Sequence, residues 1–125
     1  MPRFVFTLVV TVLAVMLGGE LATVRGQATS GEYRIGVLEP ITGPLAFEGK
    51  RHMEGLEIVR DLINERGGIA GKQLTWVVGD APDATAAANE ATRLISQEGV
   101  RLIAGTLSSS LCVPASEVAA RNNII

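Results

Sequence analysis

Cysteine, histidine and aromatic side chains are scarce in this chain of 125 residues. The single cysteine, Cys112, has no partner, so no disulfide can form within the chain. The single histidine, His52, stands sixty residues away from it, and one His with one Cys falls short of a metal-ligand set. A reactive thiol needs an adjacent base or positive surroundings, which leaves Cys112 as a small helix residue rather than a nucleophile. Aromatic residues make up 4% of the chain and no basic stripe runs among them, so neither phosphate tracking nor base stacking has a surface; this excludes nucleic acid. Three enzyme motifs are missing as well. The first strand is followed by Glu39, Pro40 and Ile41 rather than G-x-G-x-x-G, no G-x-x-x-x-G-K-[ST] occurs, and Ser108 to Cys112 lack the flanking glycines of a nucleophile elbow. No cofactor, metal or catalytic residue is expected.

The longest apolar run, Phe4 to Leu17, has 14 residues and is ended by Gly18, Gly19 and Glu20. It is shorter than the roughly 18 residues of a membrane-spanning helix, and it follows Arg3 and precedes small and polar residues, the layout of a secretory leader. We read residues 1–28 as a signal peptide cleaved after Gly26 or Ala28, which places the mature chain outside the cytoplasm. Past residue 28 nine Lys/Arg face twelve Asp/Glu with the signs interspersed.

Residues 29–125 alternate between strand and helix patterns. Glu32 to Leu38 is short and β-rich, and Pro40, Thr42, Gly43 and Pro44 open a long loop reaching about Gly49. Met53, Leu56, Val59, Leu62 and Ile63 recur at helical spacing, opposite the charged Glu54, Glu57, Arg60, Asp61 and Glu65, and Gly67 and Gly68 close the helix. Gln73 to Val78 forms a second strand with Trp76 as packing. Pro82 and Asp83 open a second helix, with Asp83 as its cap and Ala84, Ala87, Ala88, Ala91, Leu94 and Ile95 as its apolar stripe. Arg101 to Ala104 is the third strand. Pro114, tolerated only in a first turn, places the start of the third helix within a few residues and leaves Ser108 to Ser110 at a loop tip. Asn123, Ile124 and Ile125 open a fourth strand, so the chain reads as an incomplete unit. This order predicts an α/β fold with a doubly wound parallel sheet. If the strand order is 2-1-3-4, the ligand crevice lies between strands one and three, where the loops Glu39 to Gly49 and Thr106 to Ser110 face each other.

The serine tip suits an anion, because a helix start offers free N–H groups and a partial positive charge and hydroxyls add neutral donors. The competing reading makes one serine a cap and the others loop filler. The first loop offers Thr42, Phe47 and Glu48, which are otherwise a core residue in Phe47 and a solvated one in Glu48.

Taken together, IGVLEPITGPLAFEG, GLEIVRDLINERGGIAGKQL, GDAPDATAAANEATRLI, RLIAGTLSSS and PASEVAARNNII resemble the type I periplasmic substrate-binding proteins of the leucine/isoleucine/valine class, from Tyr33 to Ile125. The resemblance implies a partial first lobe of a two-lobe fold that closes on a small amino acid, amide or carboxylate. It also implies delivery to the membrane permease of an ABC importer, by a protein that is monomeric when full-length. Ser109 matches the serine that holds the ligand carboxylate, with Leu107, Ser108 and Ser110 beside it. Glu48 stands where branched-chain binders tend to place an aromatic residue, with Phe47 one place earlier. A buried Glu48 would be costly unless paired, so either it points away and Phe47 substitutes, or the ligand brings a polar or cationic group. Two other functions remain open on sequence: an extracellular sensing domain of the same fold, and a hydrolase using a serine of the tip.

Overall fold

The structure, a computed structural model, describes residues 31–125. The expected leader, residues 1–28, lies outside the described residues. Three strands and three helices alternate: β1 (Glu32–Glu39), α1 (Ala46–Glu65), β2 (Gln73–Asp80), α2 (Ala84–Ser96), β3 (Ile103–Gly105) and α3 (Ser109–Arg121). The strands form one parallel sheet in the order β2-β1-β3. Glu32 to Glu39 pair in unbroken register with Gln73 to Asp80, and on the other side Leu38 stands opposite Gly105. This is the order expected for the first three strands. A fourth is not assigned among the described residues: the helical path runs to Arg121, Asn123 turns with φ 51°, and only Ile125 reaches the sheet edge, its carbonyl accepting the Ile103 N–H at 2.7 Å.

The third strand is shorter than read and shifted toward the site. Val100 is drawn into the core, Arg101 and Leu102 stay exposed, and pairing begins where the Gly36 N–H reaches the Leu102 carbonyl at 2.9 Å.

On one face of the sheet, α2 and α3 close a core of Leu38, Ala87, Ala91, Leu94, Val100, Leu111 and Val118, each at most 5% exposed. The alanines of α2 let that helix lie close to the strands, although Ala84 is exposed because the helix only begins there. Asp83 caps it as expected, its Oδ1 accepting the Ala86 N–H at 2.9 Å. Arg93 ties the same helix to the sheet by donating to the Val78 carbonyl at 3.1 Å, and Glu90, one turn earlier on that helix, holds its guanidinium at 2.9 Å.

The opposite face is covered more thinly. Helix α1 has 20 residues, about 30 Å of length, against a sheet only about 10 Å across at three strands. Met53, Leu56 and Ile63 are half-buried, but Val59 and Leu62, expected on the buried stripe, are 49% and 47% exposed. Trp76 is half-buried under this helix and donates its indole N–H to the Leu56 carbonyl at 3.0 Å.

The end of α1 is joined to β2 by a side chain acting as a strand. Asn64 accepts the Leu74 N–H at 2.7 Å and donates to the Leu74 carbonyl at 2.9 Å, satisfying both backbone groups of that edge residue. The two glycines that follow take φ of 96° and 76°, as their place after a helix predicts. Two stability outcomes follow for urea unfolding of the chain. Leu94→Ala opens a cavity at a fully buried site and is expected to cost about 2–5 kcal/mol. Asn64→Ala leaves both Leu74 groups unpaired and is expected to cost about 1–3 kcal/mol; no change would show that water replaces the amide at no cost.

Candidate functional site

In a parallel sheet all three strands end on the same side, so β1, β2 and β3 deliver Glu39, Asp80 and Gly105 to one edge. Because β1 and β3 are neighbours, the chain that follows Glu39 and the chain that follows Gly105 leave the sheet side by side. The first leads into α1 and the second into α3. The structure thus assembles the two segments that sequence order alone kept apart.

The first segment is shorter than a loop reaching Gly49. Helix α1 already begins at Ala46, where the Ala46 N–H meets the Gly43 carbonyl at 3.2 Å and the Gly49 N–H meets the Leu45 carbonyl at 3.0 Å. Gly49 permits this early start: it is buried against Pro40, whose carbonyl oxygen would overlap any added Cβ. Phe47 and Glu48 are therefore in the first helical turn instead of in a loop. Phe47 is 69% exposed, so it is not a core residue, and the Arg51 guanidinium lies 5.8 Å from its ring centre. Glu48 is exposed at the helix N-terminus, where the macrodipole favours a carboxylate and no burial cost arises.

The second segment also differs from its expected form. Helix α3 starts at Ser109, so only Ser108 precedes it, while Ser109 and Ser110 belong to its first turn. Pro114 then lies inside the helix, past the first turn, and the helix tolerates the loss of one backbone donor there. Ser108 sits at the cap position in an extended conformation, φ −129° and ψ 133°, yet its hydroxyl does not cap. It pairs instead with the Ser110 hydroxyl at 2.8 Å. The Ser108 carbonyl receives the Leu111 N–H at 3.1 Å, the Cys112 N–H at 2.9 Å and the Thr106 hydroxyl at 2.9 Å, which fixes the turn. The N–H groups of Ser109 and Ser110 precede the helix's own bonding and are free to meet an anion. The Ser109 hydroxyl is exposed and has no hydrogen-bond partner among the described residues; Leu107 beside it is half-buried. Cys112 is an exposed helix residue.

Two carboxylates that pattern reading passed over as strand ends occupy this edge. Asp80 accepts the Ile41 N–H at 2.8 Å and the Thr42 N–H at 3.1 Å on one oxygen, and the Thr42 hydroxyl at 2.5 Å on the other. Burial alone would raise its pKa, but these three donors outweigh it and hold the carboxyl below its ordinary 3.8. Glu39 is the opposite case. It is 3% exposed, its Oε2 has no partner among the described residues, and His52 Nδ1 lies 3.6 Å from Oε1. Burial pushes this carboxyl above its ordinary 4.5, only partly offset by the nearby His52 ring. No local signal marks either as a site residue: each is an acid at a strand end, and the Thr42 loop that Asp80 holds follows Glu39, 38 residues earlier in the chain.

Two cavities open near this edge. One of about 420 Å³ lies under α1, between Glu39, His52, Leu56 and Ala104. The other, about 260 Å³, lies between β3 and α3, lined by Ile103, Cys112, Ala115 and Ile125. Neither is lined by Ser108, Ser109 or Ser110, the last two of which are exposed at the edge.

The sequence profile of the periplasmic binding protein family matches residues 32–125. The chain belongs to the periplasmic binding protein family. Among its relatives, Leu/Ile/Val-binding protein homolog 7 of Brucella suis is 46% identical over 89 residues, which are 71% of this chain and 22% of that protein. Leu/Ile/Val-binding protein homolog 8 of the same organism is 41% identical over 102 residues, 82% of this chain and 25% of the relative. The chain thus spans about a quarter of the length of the curated relatives it matches. Similar solved structures include the branched-chain amino acid transporter substrate-binding protein LivJ from Streptococcus pneumoniae in complex with isoleucine. Its TM-score is 0.71 at 30% identity, covering 74% of this chain and 27% of that one. An ABC-transporter solute-binding protein from R. palustris in complex with benzoate matches with a TM-score of 0.65 at 26% identity, covering 75% of this chain and 26% of that one. These are substrate-binding proteins, which are not enzymes, and the hydrolase reading is set aside.

The raised Glu39 carboxyl has a signed consequence. The folded chain holds that proton more tightly than the unfolded chain does, so its contribution to stability is present below about pH 4.5 and is lost as pH rises through the raised value. Glu39→Gln cannot ionise and escapes that loss. Its urea midpoint relative to the parent is expected to improve between about pH 4 and pH 7, and a gap that stays constant over this range would show that Glu39 is not destabilised by its burial.

Proposed function

We propose that this chain supplies the N-terminal part of the first lobe of an extracytoplasmic solute-binding protein of an ABC importer. Residues 29–125 are the lobe segment and residues 1–28 the cleaved export signal. The ligand is a small amino acid or a related amide or carboxylate held between two lobes, and the complete protein is a monomer that presents it to a membrane permease.

One observation carries this reading: at the edge where β1 and β3 end together, the first turn of α3 presents free backbone N–H groups and a Ser109 hydroxyl without a partner among the described residues. A carboxylate there needs no counter-charge. Ser109 is its main side-chain donor. Ser108 and Ser110 hold each other at 2.8 Å and shape the turn, and Leu107 borders it. On the neighbouring α1, Phe47 offers an exposed apolar face and Glu48 a solvated acceptor for a polar ligand group. The isoleucine and benzoate named with the two similar structures share a carboxylate, which is the group this turn suits.

The test is a thermal-shift panel of amino acids, their amides, benzoate and urea on the full-length protein. A compound that binds only the native state raises its melting temperature, so at least one carboxylate is expected to do so, and a panel in which none does at millimolar concentration sinks the proposal. Ser109→Ala is expected to weaken the best ligand by about 1–3 kcal/mol in calorimetry; unchanged affinity would remove Ser109 from the site.

A further inference from the structure

The ladder between β1 and β2 stops at the pair Glu39 and Asp80, with one last bond from the Ala81 N–H to the Glu39 carbonyl at 3.0 Å. Beyond it the first strand must turn off the sheet. Pro40 has no N–H to give, and the next two, on Ile41 and Thr42, lie past the end of the β1–β2 ladder. The Asp80 side chain takes over there. One oxygen receives both N–H groups and the other receives the Thr42 hydroxyl, so three of its acceptor positions go to two consecutive residues of the loop. Charge-assisted bonds of this kind are the stronger class, and all three converge from one rigid strand onto a segment four residues before α1 begins.

We propose that Asp80 is a positioning residue of the ligand site: it touches no ligand itself, but sets the exit direction of the loop at Ile41 and Thr42, and through it the placement of the α1 first turn against the serines of α3. The inference rests on the site reading above. Its carboxylate is occupied by the loop, which separates it from an acid that would meet a ligand ammonium. The shift of its acidity below the ordinary range agrees with a carboxylate that is held ionised by donors. The role also gives the Thr42 hydroxyl a defined state: its hydrogen points to Asp80, leaving that oxygen as an acceptor on the exposed side of the loop.

The experiment uses the full-length protein with L-isoleucine and benzoate as probes, and measures affinity by calorimetry together with amide hydrogen exchange at Ile41 and Thr42. Asp80→Ala, which removes both acceptor oxygens, is expected to speed exchange at both amides and to weaken the bound probe by about tenfold or more. Thr42→Val changes an exposed side chain that threatens the fold little, and is expected to weaken binding by a similar factor, whereas Thr42→Ser, which keeps the hydroxyl, restores the parental affinity. The melting temperature of the unliganded variants serves as the control, since a general loss of packing would lower it in step with affinity. Slow exchange retained in Asp80→Ala overturns the proposal. So does fast exchange with unchanged affinity, or a loss in Thr42→Ser as large as in Thr42→Val. If the parent binds neither probe, it is the ligand reading that fails for these compounds, and the exchange result alone decides whether Asp80 holds the loop.

Discussion

The site depends on how closely β1 and β3 approach at their last residues. Gly105 stands opposite Leu38, and a Cβ on Gly105 would overlap the Leu38 carbonyl oxygen. Its φ of 107° is one that residues with a side chain rarely adopt. With that contact made, the segments beyond the two strands must leave the sheet together, and the N-termini of α1 and α3 end up on one edge. A wider spacing would move the two helix starts apart along that edge.

The two faces of the sheet are built on different terms. On the α2 and α3 side, alanines bring helix and strand together and leucine and valine side chains are sealed to 5% exposure or less. The α1 side holds its helix by fewer, more directional links: Asn64 on Leu74, Trp76 on the Leu56 carbonyl, and Gly49 against Pro40. Directional links fix the angle and depth of a helix without needing a wide apolar bed. This is why α1 keeps a defined N-terminus over a three-stranded sheet even though Val59 and Leu62 remain half-exposed.

Neighbouring carboxylates at this edge meet opposite fates. Glu39 and Asp80 are register partners, one residue from the same loop. Asp80 is surrounded by donors and stays ionised; Glu39 is turned under α1, where one oxygen finds nothing and the charged form is disfavoured. Both lie at the end of the same ladder, and the difference comes from burial and hydrogen-bond supply together: Glu39 is the more buried, while Asp80 receives three donors. The ionised one organises the loop, and the other faces His52 of α1 at 3.6 Å.

The amino-acid sequence determined the alternation of strands and helices, the parallel sheet and the place of the serine turn, because apolar spacing, Gly67, Gly68 and the Asp83 cap act within a few residues of themselves. The family resemblance was legible for the same reason, being carried by short motifs with TGP and NERGGIAGK among them. Tertiary structure alone decided the rest. Where α1 begins depends on Gly49 meeting Pro40, and no local pattern reports that contact. Pro114 alone predicts a helix start within a few residues of it, yet the turn at Thr106 and Ser108 begins the helix earlier, since hydrogen bonds to the Ser108 carbonyl outweigh the one donor that proline lacks. Asp80 and Asn64 gained their roles from backbone groups thirty-eight and ten residues away, a distance over which only the folded register can act.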